Sequence, residues 1–390
     1  LEQKYKKLFN NDRANPVNPI VLLHYFYTLK NFRRVQEKPT LLLTGGAGFL
    51  GSAILKELLD PGCPLDFKKI RVFDIAASPG ITDSRLEWVT GDVRNQEAVL
   101  EACRGIDILI HTAAVVDWGT KPEAEVFAIN TTGTENFIRA CHAMKVKHLV
   151  YTSSLDAIFT GKPMVGIDES IPYPPTHENM YCKSKCEAEK AVLSTHPGIL
   201  TTCVLRPSDI YGEGDPYHMG SLINMAEGGF YVRLGDGTAK SQHVYVGNAA
   251  WAHVLAARAL WEGNPVIAGK AYFITDGPPT NFFKFFDAIV EAAGYPIWPA
   301  SFWIPRPIAW AMGSIAEGFA LLMRPFKHYN PAFSRFAVTY TCSDFTFTSA
   351  RAARDFGFIP KYSEKEAFDL TVAYYKADRE KKKNGNTLRS

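Results

Sequence analysis

Between residue 39 and about residue 206, short apolar runs alternate with stretches whose apolar residues recur every three or four positions. The runs are 40–44 (TLLLT), 70–74 (IRVFD), 86–89 (LEWV), 107–111 (DILIH), 147–152 (KHLVYT) and 200–205 (LTTCVL). Such runs predict strands buried on both faces, and the helical-period stretches 48–59, 124–144 and 179–194 predict crossovers. Strands separated by helices call for right-handed connections and a parallel sheet covered on both sides. The expected fold is α/β, a doubly wound sheet occupying 39–206.

After Arg206-Pro207 the alternation fades. A helix is predicted at 248–261, a strand at 271–275 and a Phe-rich amphipathic helix at 281–293, followed by a Pro/Trp-rich stretch at 296–307. Residues 207–380 are expected to form a smaller substrate-binding part packed over the strand ends, where ligands of open α/β sheets sit. It includes an apolar helix at about 305–325. There Ile308, Met312, Ile315, Phe319 and Leu322 share one face, while Glu317, Arg306 and Arg324 oppose a membrane span. That face can lie on a membrane, close over an oily substrate, or belong to an ordinary core helix. Residues 1–38 are a polar, basic leader with one apolar patch, and 381–390 a basic tail, with Lys381-Lys382-Lys383 expected to be frayed and solvated.

Composition narrows the classes. The 390 residues are 46% hydrophobic and 21% charged, enough for a large core, and a formal charge of +3 gives no reason to expect nucleic acid. The seven cysteines are odd in number and form no CxxC pair, which fits reduced thiols and neither a disulfide frame nor a metal site. Cys182 and Cys186 read as small packing residues. No signal peptide is visible. The expected setting is an intracellular, reducing compartment, either the cytoplasm or the surface of an intracellular membrane.

Two local patterns carry chemistry. In 44–51 (TGGAGFLG) a buried strand meets a glycine turn and then a helix N-terminus. Gly45, Gly48 and Gly51 let backbone N–H groups approach a pyrophosphate and let helix and strand pack closely; the bland alternative is a plain turn. Asp74 ends the second strand, about 20 residues further on, where a carboxylate accepts from the adenosine ribose hydroxyls and repels a 2′-phosphate. That favours NAD over NADP. Asp92, ending the third strand, is placed to reach the adenine amino group. The second pattern is Tyr181-Cys182-Lys183-Ser184-Lys185. Of 17 tyrosines only Tyr181 has lysine four positions on, which puts both on one helix face. A neighbouring ammonium is expected to lower the phenol pKa, so that Tyr181 exchanges a proton with an alcohol or ketone oxygen. Ser154, just past the fifth strand, would orient that oxygen. Ser153 competes for the role.

These elements, with HTAA at 111–114, NTTGTEN at 130–136, YTSS at 151–154 and LRPSDIYG at 205–212, resemble an extended short-chain dehydrogenase/reductase. Within it the chain resembles the branch of 3β-hydroxysteroid dehydrogenases and 4-carboxysterol 3-dehydrogenases (decarboxylating). The C-terminal segments 243–260, 269–286 and 347–368 point there. The resemblance implies NAD as cofactor and a steroid or sterol substrate, with Ser154, Tyr181 and Lys185 as the catalytic triad. Lys185 would also hold the nicotinamide ribose. Asn130 would bend its helix and hold a water beside the lysine, Phe49 and Leu50 would line the pyrophosphate turn through their backbones, and Pro207 would lie near the nicotinamide. It also implies helices 124–144 and 179–194 as a homodimer interface, burial within the same chain being the alternative. The expected reaction is oxidation of a 3β-hydroxyl, with loss of a 4-carboxylate where the substrate carries one. Nothing in the sequence identifies the further acid or base that a Δ5–Δ4 isomerisation needs. The rivals are a nucleotide-sugar epimerase, a dihydroflavonol-type reductase, and a non-catalytic NAD-binding redox sensor.

Overall fold

The computed structural model describes residues 38–78, 80–117, 121–195, 198, 200–323 and 334–387. The leader before Lys38 and Arg324 lie outside the described residues. Seven parallel strands form the central sheet in the order β11-β7-β5-β4-β1-β2-β3. They are β1 (Thr40–Thr44), β2 (Lys69–Asp74), β3 (Leu86–Thr90), β4 (Ile108–His111), β5 (His148–Thr152), β7 (Thr201–Pro207) and β11 (Lys270–Ile274). Leu41, Leu42, Leu43, Ile108, Leu109 and Ile110 have no solvent exposure. This is the reason their runs are apolar at every position and not at alternate ones. Each such side chain contributes ~1.5–3 kcal/mol by leaving water.

Helices cover both faces. On one side α1 (Phe49–Leu59) packs with Ile54, Leu55 and Leu58 against the later part of the chain. On the other, α2 (Gln96–Ala102), α4 (Gly133–Met144) and α5 (Met180–Ser194) bury Val99, Phe137 and Val192. The single helix expected over 124–144 is divided. α3 (Glu123–Phe127) runs into a π turn at Ala128–Thr132 before α4 begins. Such a wide turn re-aims the backbone without ending the helix.

The second half does not separate cleanly at 206/207. β11 pairs with β7, and α7 (Val246–Trp261) lies on the sheet in the same core as α1. The sheet is thus completed by residues from both sides of the expected boundary. The rest builds a second core. It draws on α6 (His218–Glu227), α8 (Phe282–Ala292), α9 (Arg306–Met323), α10 (Arg335–Thr341) and α12 (Glu364–Thr387), the last following the short α11 (Ala350–Phe356). Phe282, Phe283, Phe286 and Ile289 of α8 are buried there. Three short parallel strand pairs tie these segments down: β6 (Met164–Ile167) with β13 (Phe345–Phe347), β8 (Asp209–Tyr211) with β10 (His243–Tyr245), and β9 (Arg233–Leu234) with β12 (Trp303–Ile304).

Two expectations change. The run Lys381-Lys382-Lys383 is not frayed: it is helical within α12, and Lys382 Nζ lies 3.2 Å from Asp378 and 3.4 Å from Glu227. One turn of spacing and an acidic neighbour on α6 hold it. In α9, Ile308, Met312, Ile315, Phe319 and Leu322 are all exposed, so the apolar face is not an ordinary core face among the described residues. No described helix is long and apolar enough to cross a membrane.

Candidate active site

The C-terminal ends of the strands open onto one cavity of about 540 Å³. Its far wall is the turn after β1. Gly45 sits at φ +73°, in the left-handed region that favours glycine, and a Cβ on Gly51 would stand 2.0 Å from the Gly45 carbonyl oxygen. Only glycine lets α1 start so close to β1. Gly45, Gly48, Phe49, Leu50 and Gly51 all line the cavity. The Asp74 carboxylate is fixed over this turn: Oδ2 accepts from Ala47 N–H at 2.9 Å and Oδ1 from Ala76 N–H at 2.9 Å. A backbone cradle beside a held carboxylate fits an adenosine diphosphate with a free ribose 2′-hydroxyl. Asp92 also lines the cavity but is committed to Arg94, whose hydrogen bonds hold its carboxyl below the usual carboxylate range.

At the other end stand Ser154, Tyr181 and Lys185, with Pro207 beside them. Asn179 caps α5, its Oδ1 accepting from Cys182 N–H at 2.9 Å, so Tyr181 falls in the first turn and Lys185 one turn later. Lys185 is buried, and its Nζ donates to the Thr152 carbonyl at 2.6 Å. Thr152 Oγ1 in turn pairs at 2.7 Å with His253 Nε2 of α7. Burial pushes the Lys185 ammonium down to about 7, against the opposing pull of Glu189 and Asp156. The Tyr181 phenol contacts Ser154 and is pushed up, by burial first and then by the Asp156 carboxylate. This corrects the expected acidification. Among the protein's own groups desolvation and the Asp156 carboxylate outweigh the lowering hydrogen bond with Ser154, and an acidic phenol needs a further positive charge in the cavity.

The two serines separate by their partners. Ser153 Oγ donates to Glu189 at 2.5 Å, and Glu189 also holds Arg206 and Tyr173, so Ser153 belongs to a buried ion-pair network. Both serines line the cavity, but Ser154 is bonded to Asp156 and contacts Tyr181 instead of joining that network. Asn130 lies in the π turn and does not line the cavity. Its Oδ1 accepts from Val115 N–H at 2.8 Å, and its Nδ2 donates to the Val115 carbonyl and Ser184 Oγ. Its side chain is therefore fully used in tying the β4 exit to α5. It positions the site; direct side-chain contact with a cofactor is not what its bonding offers.

Near the reacting end, Asp156, Asp209, His218 and Tyr340 line the cavity without having been singled out from the sequence. Asp156 follows Ser154 by two, a spacing that could have flagged it. The others come from β8, α6 and α10 and have no common sequence signal.

Residues 42–302 match the model of the 3-beta hydroxysteroid dehydrogenase/isomerase family. The chain is 33% identical over 340 residues to short-chain dehydrogenase/reductase family 42E member 1 of Xenopus laevis, covering 84% of this chain and 86% of that protein. It is 34% identical over 326 residues to 2-alkyl-3-oxoalkanoate reductase of Shewanella oneidensis, covering 81% of each. Among solved structures, dTDP-glucose 4,6-dehydratase of Streptomyces venezuelae with NAD and TYD bound superposes with a TM-score of 0.69 at 21% identity, over 87% of this chain and 98% of that one. UDP-glucose 4-epimerase of Thermotoga maritima does so with a TM-score of 0.65 at 20% identity, over 87% and 99%. The fold is that of an extended short-chain dehydrogenase/reductase. The chain belongs to the 3-beta hydroxysteroid dehydrogenase/isomerase family of those proteins.

Proposed function

We propose that this oxidoreductase uses NAD to oxidise the 3β-hydroxyl of a neutral steroid or sterol to the ketone. The observation that carries the reading is that one cavity joins the glycine turn and Asp74 to Ser154, Tyr181 and Lys185. Bound there, NAD would supply the hydride acceptor. Asp74 would take the ribose hydroxyls, and the backbone of 45–51 the diphosphate. Lys185, held by Thr152, would carry the second ribose and bias Tyr181 electrostatically. Tyr181 would remove the hydroxyl proton as the C–H bond breaks, and Ser154 would hold the oxygen in line.

Between the readings left open, the cavity wall favours a neutral substrate. The buried carboxyl of Asp156 stands beside Ser154 and Tyr181, with Asp209 next to it, and when ionised it opposes a carboxylate on the carbon next to the alcohol. The lining also argues against a nucleotide sugar. Its arginine and lysine, Arg94 and Lys185, are bonded to Asp92 and Thr152, leaving neither for a second diphosphate. Reduction of a 3-oxo acid is the second reading, supported by the likeness to the Shewanella reductase.

The test is NADH absorbance with 3β-hydroxysteroids, 4-carboxysterols, 3-oxo acids and UDP-sugars. Turnover confined to the neutral 3β-alcohols is expected. Turnover confined to 3-oxo acids or UDP-sugars overturns the proposal.

A further inference from the structure

The hydroxyl of Ser154 has one hydrogen, and that hydrogen is already placed. Ser154 Oγ donates to Asp156 Oδ2 at 2.7 Å and accepts from Asp156 N–H at 3.1 Å. The second bond caps the short turn Leu155–Ile158. The first is not needed for that turn, and it directs the serine proton away from any substrate oxygen. Asp156 is 7% exposed and lines the cavity. The groups that face it come from four elements: Tyr181, Cys182 and Lys185 of α5, Asp209 of β8, His218 of α6 and Tyr340 of α10. Asp209 is itself held by the Tyr340 hydroxyl of α10 and lies 3.7 Å from His218 Nε2 and 3.8 Å from His243 Nδ1.

We propose that Asp156 is a positioning residue that decides whether Ser154 presents a proton to the substrate oxygen, and so whether the site prefers ketone or alcohol. A ketone oxygen only accepts, whereas an alcohol also donates. When Asp156 is ionised, its Oδ2 keeps the serine proton, so a ketone oxygen finds no donor on Ser154, whereas an alcohol still donates its own proton to Tyr181. When Asp156 is protonated, its own O–H donates to Ser154 Oγ, and the serine proton turns to a carbonyl oxygen. The change takes one proton from solvent onto Asp156; the serine keeps its own proton and only rotates its O–H. Burial and the like charge of Asp209 raise the Asp156 carboxyl to about 6 against the pull of Ser154, His218 and Lys185, which puts the change of state in an accessible range. The inference rests on the oxidoreductase reading of Ser154 and Tyr181 and not on the identity of the sterol.

The test compares dead-end complexes, alcohol with NADH and ketone with NAD, using the pair that turns over in the substrate panel. In the wild type the ratio of ketone to alcohol affinity should fall by about tenfold or more between pH 5 and pH 8. In Asp156→Asn, which keeps an acceptor for Ser154 and cannot ionise, the ratio should stay within about twofold. A ratio flat in the wild type, or equally steep in the variant, overturns the proposal. A second readout needs no substrate. The infrared band of a protonated carboxyl should appear on acidification, vanish in Asp156→Asn, and appear at higher pH in Ser154→Ala, which loses the donor that favours the anion. An unmoved midpoint in Ser154→Ala overturns the coupling. Failure of the sterol reading shows separately, as absence of turnover in the panel.

Discussion

The two ends of the cavity are built by different means. The nucleotide end is made mainly of backbone, glycine and the held carboxylate of Asp74, with the Asp92–Arg94 pair on its wall. It binds by what it leaves out: no side chain occupies the space at Gly45 or Gly51, so a phosphate can come close to the backbone. The reacting end is made of largely buried titratable side chains, Asp156, Tyr181, Lys185, Asp209 and His218, drawn from segments spread over more than 60 residues. Its chemistry depends on how desolvation and mutual charge shift each group. A site of the first kind tolerates little change in shape, whereas one of the second kind tolerates shape change but is sensitive to charge.

Four experiments press on that contrast. The largest effect belongs to Tyr181→Phe, which keeps the ring and removes the proton. Turnover should fall by ~10²–10⁴ with NAD affinity nearly unchanged, measured by steady-state kinetics and nucleotide titration. Substantial remaining activity would remove Tyr181 from proton transfer. Gly51→Ala attacks the other end. Its Cβ would meet the Gly45 carbonyl at 2.0 Å, so α1 must shift. NAD binding should be lost together with ~1–3 kcal/mol of stability, read by calorimetry and denaturant titration.

The third experiment isolates charge at the reacting end. The folded-state carboxyl of Asp156 is raised from 3.8 to about 6. The fold therefore prefers the protonated acid. Its favourable contribution is full below about pH 3.8 and is lost as pH rises through about 6. Asp156→Asn escapes the ionisation, so it should be more stable than the wild type at pH 8, by up to ~3 kcal/mol, with the gain vanishing towards pH 4. A pH-independent difference in melting temperature would refute the shift. The smallest effect is expected from Asp74→Ala, which should weaken the preference for NAD over NADP by about tenfold or more in kcat/KM. An unchanged ratio would place the ribose elsewhere.

The same contrast explains what could be read from the chain. The strands of the sheet follow from apolar runs, and the glycine turn and the Tyr181–Lys185 pair follow from spacing, because each is set within one or two consecutive elements. The choice between Ser153 and Ser154 did not follow. It turns on whether Glu189, a turn below Lys185 on α5, reaches back to β5. The direction of the Tyr181 shift did not follow either, because the lysine is in the sequence motif while the burial is not. The boundary at 206/207 was misleading for a related reason. The chain crosses into its second core and then returns to add β11 to the sheet, a move that leaves no local mark.

By itself the sequence determined the layered α/β class, the place of the dinucleotide turn and the tyrosine–lysine pair, since periodicity and short spacings act within a few residues of backbone. The tertiary structure decided that Ser153 is tied to Glu189 while Ser154 bonds Asp156 beside Tyr181, and that Asn130 clamps the loop after β4. It also gathered Asp156, Asp209, His218 and Tyr340 around the reacting atoms. Those outcomes depend on distances between remote segments and on exclusion of water, and neither is written in the order of residues along the chain.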